Sequence, residues 1–231
     1  MQVQAQFAAE ETPSTRGYPP EYRVKAIEDQ ASMLRQLFPR LAGDAAATGA
    51  LVSGAPLPAG AEGWFLVPRW QALASTYNAA VDDVLATIAR TRPASLWRSE
   101  RLGRDRLRQQ ERTFAMMEKM GGGLADLIPL AAQFGLRHRG RSIRHARESF
   151  AEREFGLGIF AVGCMLLTHP ERLRQAEQLY VDCAGDEYSA SDEQQFSEAP
   201  FFRVIDGRVG FGTSWIGYVD PYFGSATAFV P

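Results

Sequence analysis

Apolar residues recur at intervals of three and four positions in two stretches near the N-terminus, a spacing that places them on one face of a helix. The first stretch predicts a helix over residues 21–38. The second predicts a helix from Pro68, which suits a first helical turn, to about Arg90. The two apolar faces consist of Val24, Ile27, Ala31, Leu34 and Phe38, and of Trp70, Leu73, Tyr77, Val81, Val84 and Ile88.

A third helix is predicted from about Glu100 to Met120, and the glycines at 121–123 end it. No Lys with Ser or Thr follows these glycines, so they indicate a helix terminator or a hinge and not a phosphate loop. Four arginines in this helix are spaced by three, four and four positions, which predicts a basic ridge on one face. A solvated face with ion pairs to nearby acids is the alternative. The ridge consists of Arg101, Arg104, Arg108 and Arg112.

Shorter apolar runs predict strands. WFLV at 64–67 and LADLIPLAAQF at 124–134 are two such runs, and LYVDCAGDEY at 179–188 is a core strand that ends in acids. Asp206-Gly207 separates FFRVI from RVGF and predicts a β-hairpin with a two-residue turn. The stretch over 41–63 is rich in Ala, Gly and Pro, and it predicts a loop.

The most apolar run is FGLGIFAVGCMLLT at 155–168. It is shorter than the roughly 20 residues that a helix needs to cross a bilayer, so it predicts a buried core helix and no membrane partner. Thr168 and Glu171 have the spacing of a capping box for a further short helix. His169 and Pro170 then belong to the first turn of that helix and not to a site.

These elements predict an α+β fold in which N-terminal helices pack on a small, largely antiparallel C-terminal sheet. Residues 1–20 have no signal-peptide pattern and are expected to form a flexible tail, while residues 21–231 are expected to form one domain, with 121–123 as its candidate hinge. A hydrophobic content of 45% is enough to bury a core without disulfides. Cys164 and Cys183 lie in apolar surroundings, which favours reduced thiols and a cytoplasmic location.

Charge is distributed unevenly along the chain, although the formal net charge is only -2. Residues 1–89 carry 6 basic and 9 acidic side chains, residues 90–147 carry 14 and 5, and residues 148–231 carry 5 and 13. A basic middle region is thus followed by an acidic C-terminal region. Such asymmetry favours either an anionic partner or the docking of one part of the chain on another.

The densest basic run is GLRHRGRSIRHAR at 135–147, here called the arginine-rich segment. Its glycines favour a loop after the strand predicted at 124–134, and Ser142 suits the N-cap of a short helix. Arginine forks, imidazoles and free helix amides are groups that bind phosphate or carboxylate. Pairing with the acidic C-terminal region is the alternative. The predicted anion-binding residues are the four arginines of the ridge together with Arg137, His138, Arg139, Arg141, Arg144, His145 and Arg147.

Three acids near the end of a predicted strand raise the question of a metal site. Asp182, Asp186 and Glu187 carry the hard oxygen ligands that Mg²⁺ and Ca²⁺ prefer. On a continuous strand, Asp182 and Asp186 would stand more than about 10 Å apart. Turn and surface roles are therefore favoured, and we expect neither a metal nor a cofactor.

The phrases AQFGLRHRGRSIRHARE, EFGLGIFAVGCMLLTHPERL and LYVDCAGDEY, within residues 132–188, resemble uncharacterised proteins of bacterial conjugative plasmids and related mobile elements. The resemblance implies no activity. It implies a bacterial, cytoplasmic setting in which nucleic acid is a neighbour. The chain contains no GxSxG, HExxH, CxxC or P-loop motif, so a familiar enzyme class is not expected.

Three functions remain open on this sequence. The leading hypothesis is a nucleic-acid- or phosphate-binding accessory module that uses the basic middle region. Close behind is an interaction or structural protein whose basic and acidic surfaces pair within the chain or in a homo-oligomer. The third is an enzyme acting on phosphorylated or nucleic-acid substrates, with His138 or His145 as acid or base and Asp182 or Asp186 as a metal ligand.

Overall fold

The computed structural model describes residues 7–42, 49–50, 52–96, 106–124, 126–191 and 194–231. Helices and strands pack around a common core in these ranges, which confirms the predicted α+β class. The α-helices are α1 (Ile27–Leu37), α2 (Tyr77–Thr91), α3 (Glu111–Gly121), α4 (Ile143–Glu148) and α5 (Ile159–Thr168). The strands are β1 (Gly63–Pro68), β2 (Ala94–Leu96), β3 (Leu107–Gln109), β4 (Leu127–Gln133), β5 (Glu154–Gly156), β6 (Tyr180–Asp182), β7 (Asp186–Tyr188), β8 (Glu198–Ile205), β9 (Arg208–Trp215), β10 (Phe223–Ser225) and β11 (Thr227–Phe229).

The strands form two sheets, and they are not confined to the C-terminal part of the chain. The first sheet has the order β1-β4-β11-β5, with every neighbouring pair antiparallel. In the second sheet, β8 pairs with β9 on one side and with β6 and β7 on the other, all antiparallel. Strands β2 and β10 join this sheet in parallel with β9 and β6, and β3 joins it antiparallel to β7.

Helix α5 lies at the centre of the molecule. All ten of its residues are buried, as the apolar run predicts. It contacts α1, α2 and β1, and Phe202 of the second sheet also approaches it. At Gly163 the neighbouring helix comes so close that a Cβ atom would stand 2.4 Å from Cγ1 of Val84. The predicted capping box is not formed after α5, because the Thr168 hydroxyl donates to carbonyls within α5 and the next element is a 3-10 turn, Pro170–Arg172.

The two N-terminal helices begin later than predicted. Helix α1 starts at Ile27 and not at 21, because the backbone of Ala26 is not helical (φ -57°, ψ 149°) and the Lys25 amide donates to Nε2 of His169 at 3.0 Å. Pro68 ends β1 and does not begin a helix. Helix α2 starts at Tyr77, where the Thr76 hydroxyl accepts a hydrogen bond from the amide of Ala79 at 3.3 Å.

The predicted helix over 100–120 is wrong at 107–109, and its first part, 100–105, lies outside the described residues. Residues 107–109 form β3, and α3 begins only at Glu111. Arg108 therefore lies on a strand and Arg112 on a helix, so the two do not share one helical ridge. Arg101 and Arg104 lie outside the described residues. The helix ends at Gly121, as the glycine run predicts.

The predicted strand over 179–188 and the predicted hairpin are both formed. The first is interrupted by a turn at 183–185, which divides it into β6 and β7 along the same edge of β8. Asp206 and Gly207 both have positive φ, at 49° and 70°, and connect β8 to β9 as a two-residue turn. Among the described residues, no helix is long and apolar enough to span a bilayer.

The close approach at Gly163 predicts that a side chain there will destabilise the fold. In Gly163→Val the new atoms meet Val84, whose β-branched side chain has few rotamers to move into. We expect the free energy of unfolding in urea to fall by about 1 to 3 kcal/mol. Gly17→Val is the matched control, because a Cβ at Gly17 has no atom within 4 Å. Equal stability of the two variants would show that α5 and α2 do not pack at this distance.

Candidate functional site

The arginine-rich segment occupies a strand-loop-helix junction, as predicted. Strand β4 ends at Gln133, a 3-10 turn follows at Leu136–His138, and α4 begins at Ile143. The Ser142 hydroxyl caps α4 by accepting a hydrogen bond from the amide of His145 at 3.0 Å. The junction is fixed on its outer side by another part of the chain.

That part is the N-terminal strap, defined here as residues 7–20. The amide of Thr12 donates to the Gly140 carbonyl at 2.7 Å, and the amide of Ser142 donates to the Glu10 carbonyl at 2.9 Å. Gly140 has a φ of 74°, and a Cβ there would stand 2.1 Å from the Thr12 carbonyl oxygen. The ring of Phe7 stacks on His145. Residues 7–20 are thus part of the fold and do not form the expected flexible tail.

The carboxylate of Glu10 binds the groups that the sequence assigns to an anion. The Ser142 hydroxyl donates to Oε2 of Glu10 at 2.6 Å, and Nε of Arg144 lies 3.1 Å from both carboxylate oxygens. Arg144 also donates through Nη2. The hydrogen bond from Arg144 is the main cause that lowers the pKa of Glu10, against a smaller opposing effect of burial. A carboxylate of the protein therefore occupies the predicted anion site.

Neighbouring arginines of the segment bind further oxygens of the chain. Arg141 forms an ion pair with the adjacent strap residue Glu11, with Nε 3.2 Å from Oε1. Arg139 is exposed and donates through Nη1 to the backbone carbonyl of Arg16 at 3.2 Å. His145 is buried, and its Nδ1 stands 3.8 Å from Oε2 of Glu11. The strap thus covers the part of the segment from Arg139 to His145.

The other end of the segment surrounds a buried carboxylate, Glu154 on β5. Nε2 of His138 stands 2.7 Å from its Oε1, and the Thr227 hydroxyl donates to the same oxygen at 2.8 Å. Nε of Arg137 donates to Oε2 at 3.1 Å. Burial raises the pKa of Glu154, but the hydrogen bond and charge of His138 and the bonds from Thr227 and Ala151 outweigh it and bring the pKa to about 2.

Two of the predicted arginines that lie far apart in the sequence bind the same acid. Nη2 of Arg108 stands 2.8 Å and Nη1 of Arg147 stands 3.6 Å from the carboxylate of Glu187. Arg147 also donates to the backbone carbonyls at 184 and 186. Arg112 donates to the backbone carbonyls at 151 and 152. The structure therefore brings Arg108 of the predicted ridge close to Arg147 of the arginine-rich segment.

The three acids considered for a metal have separate environments. Asp186 accepts hydrogen bonds from the Tyr77 hydroxyl at 2.8 and 2.9 Å and from the first amide of α5 at 2.7 Å. Glu187 binds arginines, and Asp182 lies on β6 near Asp220. No group of three or more metal-ligating side chains occurs within the described ranges.

Sequence reasoning missed the strap partners of the arginines, Glu10 and Glu11, which lie in the segment assigned to a tail. Glu154 and Glu187 belong to the acidic C-terminal region, which the alternative interpretation names as the partner. One local signal was available, because Pro13 restricts Thr12 to extended backbone, which suits a segment laid along another chain segment. Nothing local indicates where such a segment docks.

The network around Glu154 predicts a pH-dependent loss of stability. Its pKa is lower in the fold than its ordinary value of 4.5, so its contribution is complete above pH 4.5 and is lost as the pH falls through about 2. Glu154→Gln leaves the buried His138 and the partly exposed Arg137 without a carboxylate, and we expect a loss of about 3 to 5 kcal/mol near neutral pH. Urea unfolding from pH 7 to pH 2 measures both effects.

Glu152→Gln is the control for this variant, because Glu152 is exposed and lies two positions earlier. It should change the free energy of unfolding by no more than about 1 kcal/mol and leave its pH dependence intact. A wild-type stability that stays level between pH 4.5 and pH 2 would contradict the assignment of the low pKa to Glu154.

Comparison with known proteins finds no match for this chain. No protein family matches the chain. No curated protein and no solved structure matches it either. The proposals below therefore start from the residues of this chain alone.

Proposed function

We propose that this protein is a nucleic-acid- or phosphate-binding accessory module whose arginine-rich segment is held by the protein's own carboxylates until an anionic partner competes for it. One observation supports this proposal above the others: the Glu10 carboxylate is bound by the Ser142 hydroxyl and by both nitrogens of one edge of the Arg144 guanidinium. Carboxylate and phosphate are recognised by the same planar arginine fork.

The arginines remain within reach of a larger anion. The side chains of Arg137 and Arg144 are 39% and 42% exposed although each is paired. Arg139 is exposed and donates to a backbone carbonyl of the strap, that of Arg16. Exposed ion pairs contribute little to stability. The side chains of Arg141 and Glu11 are 26% and 45% exposed, so exchanging this strap carboxylate for a phosphate costs the fold little.

The setting proposed for this activity is the bacterial cytoplasm, where nucleic acid is abundant and thiols stay reduced. Cys164 and Cys183 are both free and buried. Burial raises the pKa of both thiols, which keeps them protonated and unreactive.

A second candidate is an interaction or structural protein in which these charges serve the fold. The observation in its favour is Glu154, which is fully buried and binds His138 and Arg137.

An enzyme is the least favoured candidate. The side chains of His138 and His145 are 1% and 3% exposed, which leaves little access for a substrate to either ring.

Removing the strap carboxylates tests the leading proposal. In Glu10→Gln/Glu11→Gln, Arg144 and Arg141 lose their acids, and a labelled single-stranded oligonucleotide should bind more tightly. The log-log salt slope of that affinity should steepen by about 0.7 for each phosphate that a freed arginine contacts. Fluorescence anisotropy over a series of NaCl concentrations measures the slope, and a duplex of the same sequence compares the two nucleic-acid forms.

Glu21→Gln/Glu28→Gln is the control, because it makes the same change in net charge at two exposed positions away from the arginine-rich segment. An equal gain in both double variants would indicate a general effect of net charge. Absence of binding in every variant, with a large loss of stability only in Glu10→Gln/Glu11→Gln, would favour the structural candidate instead.

A further inference from the structure

A small pocket near the end of β9 combines two carboxyl groups with aromatic walls. It is lined by Asp182 at the end of β6, Ser214 and Trp215 at the end of β9, and Tyr218, Asp220 and Phe223 on the segment that follows. Trp215 and Tyr218 are 54% and 53% exposed. A buried acid and exposed aromatic rings are the two kinds of surface feature that most often indicate a binding site.

The two carboxyl groups differ in how they are held. Asp220 accepts hydrogen bonds from the amide of Tyr222 at 2.8 Å and from the Tyr218 hydroxyl at 3.0 Å. Asp182 is buried, with 5% of the residue exposed, and no hydrogen bond to its carboxyl group is found among the described residues. A buried carboxyl that lines a pocket without a donor is an open acceptor position.

Charge around Asp182 favours a cationic ligand. Burial, and then the charge of Asp220, raise the pKa of Asp182 to about 8, and Arg147 opposes this only in part. The thiol of Cys183 also interacts electrostatically with Asp182. This thiol stays protonated because burial raises its pKa. A positive group placed between the two carboxyls would satisfy both at once.

We propose that this pocket binds a primary alkylammonium group, with the ammonium between Asp182 and Asp220 and the alkyl stem on Trp215. Three N–H donors suit two carboxylates and the Ser214 hydroxyl, and the rings of Trp215 and Tyr218 add cation–π attraction. The guanidinium of Arg144 lies 5.5 Å from the centre of the Trp215 ring, so this ring already takes part in one cation–π interaction.

A primary ammonium fits better than the other cations considered. A quaternary ammonium has no N–H to donate to Asp182. A divalent metal ordinarily takes six or more oxygens, and this pocket offers two carboxylates and two hydroxyls. The free amine and the lysine side chain share the proposed chemistry, and the two sources are distinguished by the probes below. The site uses none of the acids of the strap, so this proposal stands independently of the function proposed above.

The test is a titration of the protein with n-butylammonium chloride at pH 7 and pH 8.5. Calorimetry measures the binding, and ¹³C NMR reports on the carboxyl groups. Wild type should show saturable binding that is tighter at pH 8.5, because the ligand binds the ionised form of Asp182, and should release protons at pH 7. N-acetyl-lysine amide probes the lysine source, and tighter binding of it than of butylammonium identifies a peptide ligand. The carboxyl resonance of Asp182 should shift on saturation.

Asp182→Asn should weaken butylammonium binding at least about tenfold, which corresponds to about 1.4 kcal/mol. Asp206→Asn is the matched control, because Asp206 is exposed in the β8–β9 turn, where Asn is equally suited. If Asp182→Asn does not fold, Trp215→Leu at the exposed mouth of the pocket should still weaken binding. Equal affinity of Asp182→Asn and wild type, no saturable binding in wild type, or equal binding of tetramethylammonium or Mg²⁺ would overturn the proposal.

Discussion

Helix α5 is apolar on every side, and this constraint governs the arrangement of the elements around it. A helix with no polar face has no side to present to water, so it must be covered all round. Helices α1 and α2, strand β1 and Phe202 provide that cover. The two ends of α5 must then find hydrogen-bond partners inside the protein, because water does not reach them.

The first amide of α5 donates to a buried acid, so the apolar helix requires an ionisable group in the protein interior. Asp186 on β7 accepts from the amide of Ile159 and from the Tyr77 hydroxyl. Burial raises the pKa of Asp186 to about 7, against the opposing effect of these hydrogen bonds. Arg172, just beyond the other end of α5, is also fully buried and lies 3.8 Å from the centre of the Tyr18 ring. Each such group needs specific partners, which fixes the strands and the strap that supply them.

The sequence predicted best the features that depend on neighbouring residues. The apolar run of α5, the Asp206-Gly207 turn and the Ser142 cap are all local signals, and all three are present in the structure. The helix predicted from Glu100 is wrong at 107–109, because regularly spaced arginines imitate a helical face, whereas Arg108 lies on β3. The docking of the strap was beyond local reasoning, since Glu10 and Arg144 are 134 positions apart.

The position of the strap has a consequence for the order in which the protein is completed during synthesis. Its residues leave the ribosome well before their partners: Gly17 accepts from the amide of Leu179, and the Ser14 hydroxyl donates to the Pro221 carbonyl, 207 positions away. The strap therefore completes its contacts only after the residues near position 221 have been made. The arginine-rich segment, once translated, is thus without the fully docked strap until the chain has grown through Pro221.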